Sequence, residues 1–386
     1  MKGILQLALF FTFVTGSLLF GQAPTILITG GSGYIGSATT LYMVQQGYNV
    51  VVIDKKLPES SFFSDSVKVQ DPSNVDSLVF PASSKPAMRA IFIQSDFADQ
   101  DVLSRLFTCC RIDAVIHFAG FLEVGRSVKD PEAFYDNNVA KTITLLQMMR
   151  KFDVKKIIFS SSAAVYGLAN AETIVETDTK LPINPYGKTK YIVDLMLEDC
   201  AKAYQFKAVS LRYFNASGAL AAYDIGELHD PETHVIPLLL RAAYANKPFT
   251  IFGDDYNTPD KTCIRDYLHI YDLASAHYLA LKALEKGDIS YEAFNLGTGK
   301  GSSVKELVDC ASKVTGLDIE VVITPRRAGD PDRLIADSTK ARQQLGWEPT
   351  QSSLQHIIQT AHEFHVSKLP DTHLVKQRAR QAQVGG

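Results

Sequence analysis

The sequence has few cysteines and almost no excess of either charge. Its 386 residues include five cysteines, which are odd in number and scattered apart from the adjacent Cys109 and Cys110. Disulfide frameworks and cysteine-based metal centres need cysteines at regular short spacings, so we expect no disulfides and no metal site. With 39 Lys and Arg against 42 Asp and Glu, the net charge is −3. The absence of a basic excess argues against a nucleic-acid partner.

The one compositional anomaly is the N-terminus. Met1-Lys2-Gly3 precedes an apolar run over residues 4–20, and small residues at Gly21 and Ala23 suit a cleavage site. We therefore interpret residues 1–23 as a signal-like or membrane-tether segment, which implies a possible N-terminal membrane contact. The rest of the chain has the composition of a soluble globular protein, with 46% hydrophobic and 21% charged residues.

A glycine cluster follows the first strand pattern of the chain. Residues 25–29 are apolar and β-branched, the next residues include Gly30, Gly33 and Gly36, and a helical pattern runs to about Gln46. Such glycines allow a sharp turn and a close approach to a pyrophosphate at the helix N-terminus. Asp54 ends the second strand pattern, where an acid binds the ribose hydroxyls of NAD. The combination predicts NAD, and the acid favours it over NADP despite the neighbouring Lys55.

Further buried-strand patterns alternate with helical ones. They lie at residues 90–93, 114–118, 156–159 and 208–212. This alternation predicts an α/β fold with a doubly wound parallel sheet of the Rossmann type, and polar residues that follow strand ends should meet at one edge of that sheet. Asp96, Ser162 and Asn215 follow such ends.

The composition and periodicity of the sequence suggest two structural units, one surface insertion and a C-terminal tail. We assign residues 24–215, with 264–290 returning to them, to the NAD-binding domain. Residues 216–263 and 291–366 are assigned to a smaller substrate-binding lobe. Residues 56–89 lack a clear period and are interpreted as a surface insertion, and residues 367–386 as a loosely ordered tail.

Tyr186 and Lys190 stand four residues apart in a helical pattern, downstream of the serine run that includes Ser162. On a helix the phenol and the ammonium lie on one face. A fixed ammonium and a cationic nicotinamide favour the phenolate, so Tyr186 is a candidate base and Ser162 a candidate hydrogen-bond donor to the reacting oxygen. A Tyr-x-x-x-Lys pattern alone is common by chance. Here its position after the glycine cluster and the serine run supports a catalytic role.

Several motifs, in order along the chain, resemble the UDP-glucose 4-epimerase family of the extended short-chain dehydrogenases/reductases. They are residues 29–37 (TGGSGYIGS), 117–120 (HFAG), 135–139 (YDNNV), 160–167 (SSSAAVYG), 185–188 (PYGK), 211–215 (LRYFN) and 265–269 (RDYLH). The resemblance covers nearly all of residues 25–364. It implies an NAD-dependent isomerase that inverts C4 of a UDP-hexose through a 4-keto intermediate, with Tyr186 as base.

The resemblance also implies roles for individual residues. The catalytic residues would be Tyr186, Lys190 and Ser162. The cofactor would be bound by Gly30, Gly33, Tyr34, Ile35, Gly36, Asp54, Asp96, Phe118, Ala119, Gly120, Asn138, Tyr186 and Lys190. The UDP-sugar would be bound by Ser162, Tyr186, Phe214, Asn215, His234, Val235, Phe252, Arg265, Arg327, Asp330 and Leu334. Of these, Arg265 and Arg327 suit a diphosphate, because guanidinium groups bind phosphate oxygens bidentately.

The preferred sugar stays open. Leu334 occupies a position that is bulky in some family members and small in those that accept N-acetylated sugars, so UDP-N-acetylglucosamine is an alternative substrate. UDP-xylose and UDP-glucuronate are others. A sugar-nucleotide dehydratase would need an acid pair where Ala163 and Ala164 stand, and a non-catalytic NAD-binding sensor could dispense with the catalytic residues.

Two properties follow from the resemblance alone. The helical patterns after Pro131 and Tyr186 match the homodimer contact usual in this superfamily. A cytoplasmic location is expected, because NAD is supplied there; export or membrane tethering through residues 1–23 is the alternative.

Overall fold

The computed structural model describes residues 23–78, 80, 85–168, 171–327, 329–371, 373 and 375. The segment 1–23, interpreted above as a signal or tether, lies outside the described residues except for residue 23 itself. Within the described ranges, no helix has both the length and the apolar character that crossing a membrane requires.

The strands and helices alternate along the chain. The strands are β1 (Thr25–Thr29), β2 (Asn49–Asp54), β3 (Val67–Val69), β4 (Ala90–Gln94), β5 (Ala114–His117), β6 (Lys156–Ser162), β7 (Lys207–Tyr213), β8 (Asn215–Ser217), β9 (Phe249–Phe252), β10 (Ile264–Arg265), β11 (Tyr267–His269), β12 (Tyr291–Leu296), β13 (Ser302–Ser303), β14 (Val321–Thr324) and β15 (Arg333–Leu334). The helices are α1 (Tyr34–Gln45), α2 (Gln100–Cys109), α3 (Val124–Lys129), α4 (Pro131–Tyr135), α5 (Lys141–Lys151), α6 (Pro185–Tyr204), α7 (Val235–Ala245), α8 (Ile270–Lys286), α9 (Val304–Thr315), α10 (Thr339–Leu345) and α11 (Leu354–Lys368).

Within the described residues, eight of these strands form the main sheet in the order β12–β7–β6–β5–β1–β2–β4–β3. All neighbours in it are parallel. The predicted doubly wound α/β fold is therefore confirmed. The strand order reverses between β1 and β5, and ligands bind sheets of this kind in the crevice at such a point, outside the carboxyl ends of the strands.

Both faces of the sheet are buried, as the continuous apolar strands require. Ile26 and Ile28 of β1 belong to one core cluster, which also contains side chains of α1 and α8. Leu27 belongs to a second cluster on the opposite face, with side chains of α2, α5 and α6. Alternate residues of one strand thus anchor helices on opposite faces, which holds the turn after β1 in place.

A third core cluster is formed mainly by residues of the predicted smaller lobe. It joins α7, α9 and α11 to β9, with Leu240, Leu307 and Ile358 among its buried residues. The strand β14 pairs with β9. This cluster gives the lobe a packing core apart from the two faces of the main sheet.

Three details of the predicted domain boundaries are changed by long-range contacts. The strand β12 pairs with β7 in the main sheet, so residues 291–296, assigned above to the lobe, belong to the sheet. The predicted surface insertion 56–89 contains β3, which extends the sheet edge, and Phe63 and Val75 are fully buried. The helix α11 continues to Lys368; in the predicted tail, residues 372, 374 and 376–386 lie outside the described part.

Candidate active site

A cavity of about 990 Å³ lies at the carboxyl ends of the main-sheet strands, between the sheet and the lobe. Most of the residues proposed from the sequence line it. They are Gly30, Gly33, Tyr34, Ile35, Gly36, Asp54, Phe118, Ala119, Gly120, Ser162, Tyr186, Lys190, Phe214, Asn215, His234, Val235, Phe252, Arg265, Arg327, Asp330 and Leu334. The fold thus brings together groups that are up to three hundred residues apart in the chain. Asp96 and Asn138 are not part of the lining.

The glycine turn after β1 is closely packed against the loop after β5. Gly30 has φ +75°, and a Cβ there would lie 2.6 Å from the backbone nitrogen of Ala119. A Cβ at Gly36 would lie 2.2 Å from the carbonyl oxygen of Gly30. Glycine is therefore required at both positions, one for its conformation and both for the close approach of backbones.

The N-terminus of α1 offers unused donors at this turn. Its N-cap residue, Gly33, supplies no side-chain hydrogen bond to the helix. The hydroxyl oxygen of Ser32 is buried and has no hydrogen-bond partner among the described residues. Free backbone N–H groups at a helix start, beside an unpartnered hydroxyl, fit a pyrophosphate group.

Asp54 stands at the end of β2, beside the same turn. Its carboxylate accepts hydrogen bonds from the backbone nitrogens of Ser32 (3.0 Å) and Lys56 (3.1 Å). Burial raises the pKa of this carboxyl, and the backbone hydrogen bonds oppose the rise. The oriented acid at the edge of the cavity fits the ribose hydroxyls of a dinucleotide.

Asp96 is held by two lysines. Its Oδ2 lies 2.6 Å from Nζ of Lys141 and 3.2 Å from Nζ of Lys55. Partial burial would raise the pKa of Asp96, but these lysines and a backbone hydrogen bond outweigh it and lower the pKa. The sequence did not indicate Lys141 as a site residue, because it belongs to no recognised motif. Because Lys55 is paired with Asp96, it is not a free cation that would select a 2′-phosphate.

The side chain of Asn138 is hydrogen-bonded within the protein. Its Oδ1 accepts a hydrogen bond from the backbone nitrogen of Phe121 (2.7 Å). Its Nδ2 donates to the carbonyl of Phe121 (2.9 Å) and to the hydroxyl of Thr189 (3.2 Å). The amide therefore ties the loop after β5 to α6. Asn138 thus supports the loop after β5, and its predicted contact with the cofactor stays a prediction.

Tyr186 and Lys190 project from the first turns of α6. The helix begins at Pro185, and the side chain of Asn184 caps it by accepting a hydrogen bond from the backbone nitrogen of Gly187 (2.8 Å). Nζ of Lys190 donates to the carbonyl oxygen of Ser160 (2.7 Å) and lies 5.8 Å from the ring centroid of Tyr186. The cap and the carbonyl together fix both side chains relative to the end of β6.

Burial governs the pKa values of this pair. It raises the pKa of Tyr186 above 10, and a hydrogen bond with Ser162 opposes the rise. Burial lowers the pKa of Lys190 to about 8, against the charge of Asp194. Burial therefore outweighs the hydrogen bond with Ser162 in the protein by itself, and the predicted phenolate needs further positive charge nearby.

The far wall of the cavity combines cations with an aromatic ring. The guanidinium carbon of Arg327 lies 3.9 Å from the ring centroid of Phe252, which is 38% exposed. Arg265 forms an ion pair with Asp330 and donates to the carbonyl of Pro331 (2.9 Å). Phe252 presents a flat surface for a planar base, and the arginines place positive charge beside it.

Asn215 and His234 both line the cavity. The side-chain nitrogen of Asn215 donates to the carbonyl of Asp266 (2.8 Å). His234 is the N-cap residue of α7, and its Nδ1 lies 2.5 Å from Oε1 of Glu227.

Asp266 itself accepts four further hydrogen bonds, from Thr298, Gly299 and Ala336. Asp266 thus supports the strand that carries Arg265.

Comparison with known proteins identifies one family. The model of the NAD dependent epimerase/dehydratase family matches residues 26–297. Curated UDP-glucose 4-epimerases from Halalkalibacterium halodurans and Lacticaseibacillus casei are 45% and 44% identical to the chain; each alignment covers 88% of this chain, and 95% and 96% of the respective relative.

Solved structures of UDP-glucose 4-epimerases are also similar to this chain. A UDP-glucose 4-epimerase from Brucella ovis in complex with NAD has 41% identity and a TM-score of 0.78, covering 88% of this chain and 98% of that one. The enzyme from Bifidobacterium longum in complex with NAD+ and UDP has 33% identity and a TM-score of 0.76, covering 89% and 98%. The UDP-Glc/GlcNAc 4-epimerase from Campylobacter jejuni has 35% identity and a TM-score of 0.73, covering 89% and 100%.

Proposed function

The chain belongs to the NAD-dependent epimerase/dehydratase family, and from this premise we propose that it inverts C4 of UDP-hexoses, interconverting UDP-glucose and UDP-galactose. The observation that carries the proposal is the single cavity in which Tyr186, Lys190 and Ser162 face Phe252 and the arginines of the lobe. Relatives that are 39–45% identical over most of the chain are UDP-glucose 4-epimerases.

NAD is the cofactor of this family, and the residues of the glycine turn fit it. The N-terminus of α1, where Gly33 and Gly36 line the cavity, would hold the pyrophosphate, and Asp54 would hold the adenosine ribose. Lys190 takes the nicotinamide ribose. When bound, NAD supplies a hydride acceptor and donor for C4 and a positive charge beside the phenol of Tyr186.

In the proposed mechanism, the phenolic oxygen of Tyr186 takes the proton of the sugar's 4-hydroxyl and later returns it. Ser162 hydrogen-bonds the same oxygen. The buried ammonium of Lys190 and the cofactor's charge together offset the desolvation that raises the pKa of Tyr186. The 4-keto sugar turns within the cavity before its other face is reduced, and the volume of about 990 Å³ leaves room for both cofactor and substrate.

The lobe selects the nucleotide. Phe252 stacks on the uracil, while Arg265 and Arg327 bind the diphosphate. Asn215, Phe214, His234 and Val235 line the passage between nucleotide and sugar.

Leu334 lies against the small cluster formed by Val165, Tyr166 and Ile174, near the sugar end. A leucine there is smaller than a tyrosine, so we propose modest activity on UDP-N-acetylglucosamine beside the main reaction. UDP-xylose and UDP-glucuronate remain the competing substrates, since they would use the same catalytic groups.

A homodimeric assembly and a cytoplasmic location complete the proposal. The exposed apolar residues Ile143 of α5 and Leu195 of α6 suit a homodimer contact through these helices. A cytoplasmic location is proposed because the reaction depends on NAD.

The test is to incubate the purified protein with UDP-galactose and follow UDP-glucose by chromatography. Tyr186→Phe should lower kcat by at least about 100-fold, since the variant has no base, while its bound NAD, released by denaturation and counted, stays at the wild-type level. Tyr191→Phe, on the same helix, is the matched control and should keep full turnover.

Other outcomes would overturn the proposal. A product lighter by one water would indicate a dehydratase, and faster turnover of UDP-xylose or UDP-glucuronate than of UDP-galactose would indicate a different epimerase. Bound NAD without turnover of any UDP-sugar would favour a sensor.

A further inference from the structure

Four side chains between β8 and α7 converge on one point. They are Glu227, His229, Glu232 and His234, and their potential ligand atoms all lie within 4.8 Å of one another. We propose that this cluster binds one divalent transition-metal ion, with zinc the best match to its ligands. Two imidazoles and two carboxylates form a nitrogen and oxygen donor set of the kind that zinc accepts.

The distances between the donor atoms suit a four-coordinate site. Nδ1 of His229 and Nδ1 of His234 lie 3.4 Å and 2.5 Å from the same Oε1 of Glu227. The same nitrogens lie 3.7 Å and 3.8 Å from Oε1 of Glu232. A tetrahedral ion with ligands at about 2.1 Å separates neighbouring donors by about 3.4 Å. Changes of less than about 1 Å would bring these four distances to that separation.

One nitrogen of the cluster lacks a well-formed hydrogen bond. Nδ1 of His229 is buried and has no hydrogen-bond partner among the described residues, although carboxylate oxygens stand close to it. The side chains of Glu227 and Glu232 are only 7% and 1% exposed. Two carboxylates buried side by side need positive charge beside them. Without an ion the histidines supply it, since the carboxylates of Glu227 and Glu232 raise the pKa of His229 to about 9; a bound metal ion would replace these protons. Arg241 lies 3.5 Å from the far oxygen of Glu232, so it serves one carboxylate from outside the cluster.

Backbone contacts hold one of the proposed ligands in position. Oε1 of Glu232 accepts hydrogen bonds from the backbone nitrogens of Thr233 (2.9 Å) and His234 (3.1 Å). Its Oε2 accepts one from the backbone nitrogen of His229 (3.3 Å). The loop therefore closes on the Glu232 carboxylate, which orients it toward both histidines. Such supporting hydrogen bonds are typical of ligands in metal sites.

The ion would have a structural role beside the active site. His234 is the N-cap residue of α7, whose first residues, Val235 and Ile236, line the cavity. On the other side, the cluster faces Tyr34 of the glycine turn, whose hydroxyl donates to the carbonyl of Gly218 (2.6 Å). An ion held by this loop would lock the start of α7 against the cofactor turn. It takes no part in the hydride or proton transfer.

The test measures metal binding directly. Full-length protein without a histidine tag is stripped with a chelator, loaded with NAD and titrated with zinc chloride against a chromophoric competitor. We expect one tight equivalent per chain. The double variant His229→Gln/His234→Gln should bind zinc at least about 100-fold more weakly, since loss of supporting residues alone costs 10-fold to 100-fold. His356→Gln, which changes a histidine outside the cluster, should bind as the wild type does.

Cobalt provides a second readout that does not depend on affinity. Wild-type protein loaded with Co²⁺ should show the intense visible bands of a tetrahedral site, and Glu232→Gln should weaken or shift them. The NAD content and far-UV circular dichroism of each variant establish that it is folded. Equal zinc binding by the double variant and the His356 variant would overturn the proposal, as would the absence of a tight equivalent in the wild type. Neither readout requires epimerase activity, so this proposal can fail while the proposed function stands.

Discussion

His117, at the end of β5, should make the protein sensitive to mild acid. Its ring is 1% exposed and lies between two hydroxyls, with Nδ1 2.6 Å from Oγ1 of Thr29 and Nε2 3.0 Å from Oγ1 of Thr142. Thr142 donates its own proton to the carbonyl of Asn138 (2.8 Å), so it must accept from Nε2. Thr29 then donates to Nδ1. The site thus accommodates the neutral ring with its proton on Nε2, and a second proton, on Nδ1, would require the Thr29 hydroxyl to turn and accept it.

The size of the effect follows from the pKa. Burial, and then the charge of Lys190, lower the pKa of His117 from 6.5 to about 3. In the unfolded chain the ring takes up a proton near pH 6.5, while in the folded protein it does not. A depressed folded-state pKa therefore contributes stability that is present above pH 6.5 and is lost as the pH falls toward 3. Between pH 7 and pH 5 the loss from this one residue is about 2 kcal/mol.

The measurement is urea unfolding at pH 7 and pH 5 with saturating NAD throughout. His117→Gln keeps an amide that can hydrogen-bond but cannot titrate. Its free energy of unfolding should fall by about 2 kcal/mol less than the wild type's over this interval, whatever its absolute stability. The other buried histidines are present in both proteins and cancel. The reasoning is refuted if His117→Gln loses the same amount.

Two further predictions concern the active site itself. Ser162→Ala removes the hydrogen bond that lowers the pKa of Tyr186, so the rising limb of the kcat/KM profile between about pH 6 and about pH 10 should move to higher pH; an unmoved limb would show that the bond does not tune the phenol. Gly36→Ala places a Cβ 2.2 Å from the Gly30 oxygen and should cost about 1–3 kcal/mol of stability together with bound NAD. Gly125→Ala, which meets no atom within 4 Å, should lower neither the melting temperature nor the NAD content.

Short-range patterns carried most of the fold prediction. The apolar run of β1, the glycine turn and the helix after it are set by neighbours in sequence, and the family expected from them is confirmed by the match over residues 26–297. The strands β3 and β12 were misassigned because their partners, β4 and β7, are distant in sequence. Three residues, as in β3, are too few to show an alternating apolar pattern. Whether a strand such as β12 joins a sheet depends on its partner strand.

The candidate site was predictable to the extent that it follows strand ends. Parallel strands present their carboxyl ends at one edge, so Asp54 and Ser162 could be expected to share a cavity from their positions alone. Asn138 and Lys141 could not be placed in this way. They lie at the junction of a π-helical turn with α5, and what they contact depends on how that segment packs against the sheet.

The sequence by itself determined the order of strands and helices, the glycine turn and the residue types available for catalysis, since each depends on neighbouring residues. Only the tertiary structure decided the charge states and the convergence of distant groups. Burial raises the pKa of Tyr186 and lowers that of Lys190, and desolvation exists only once the core has formed around them. The stacking of Arg327 on Phe252 and the closure of the loop from Glu227 to His234 likewise arise from packing, which no local pattern encodes.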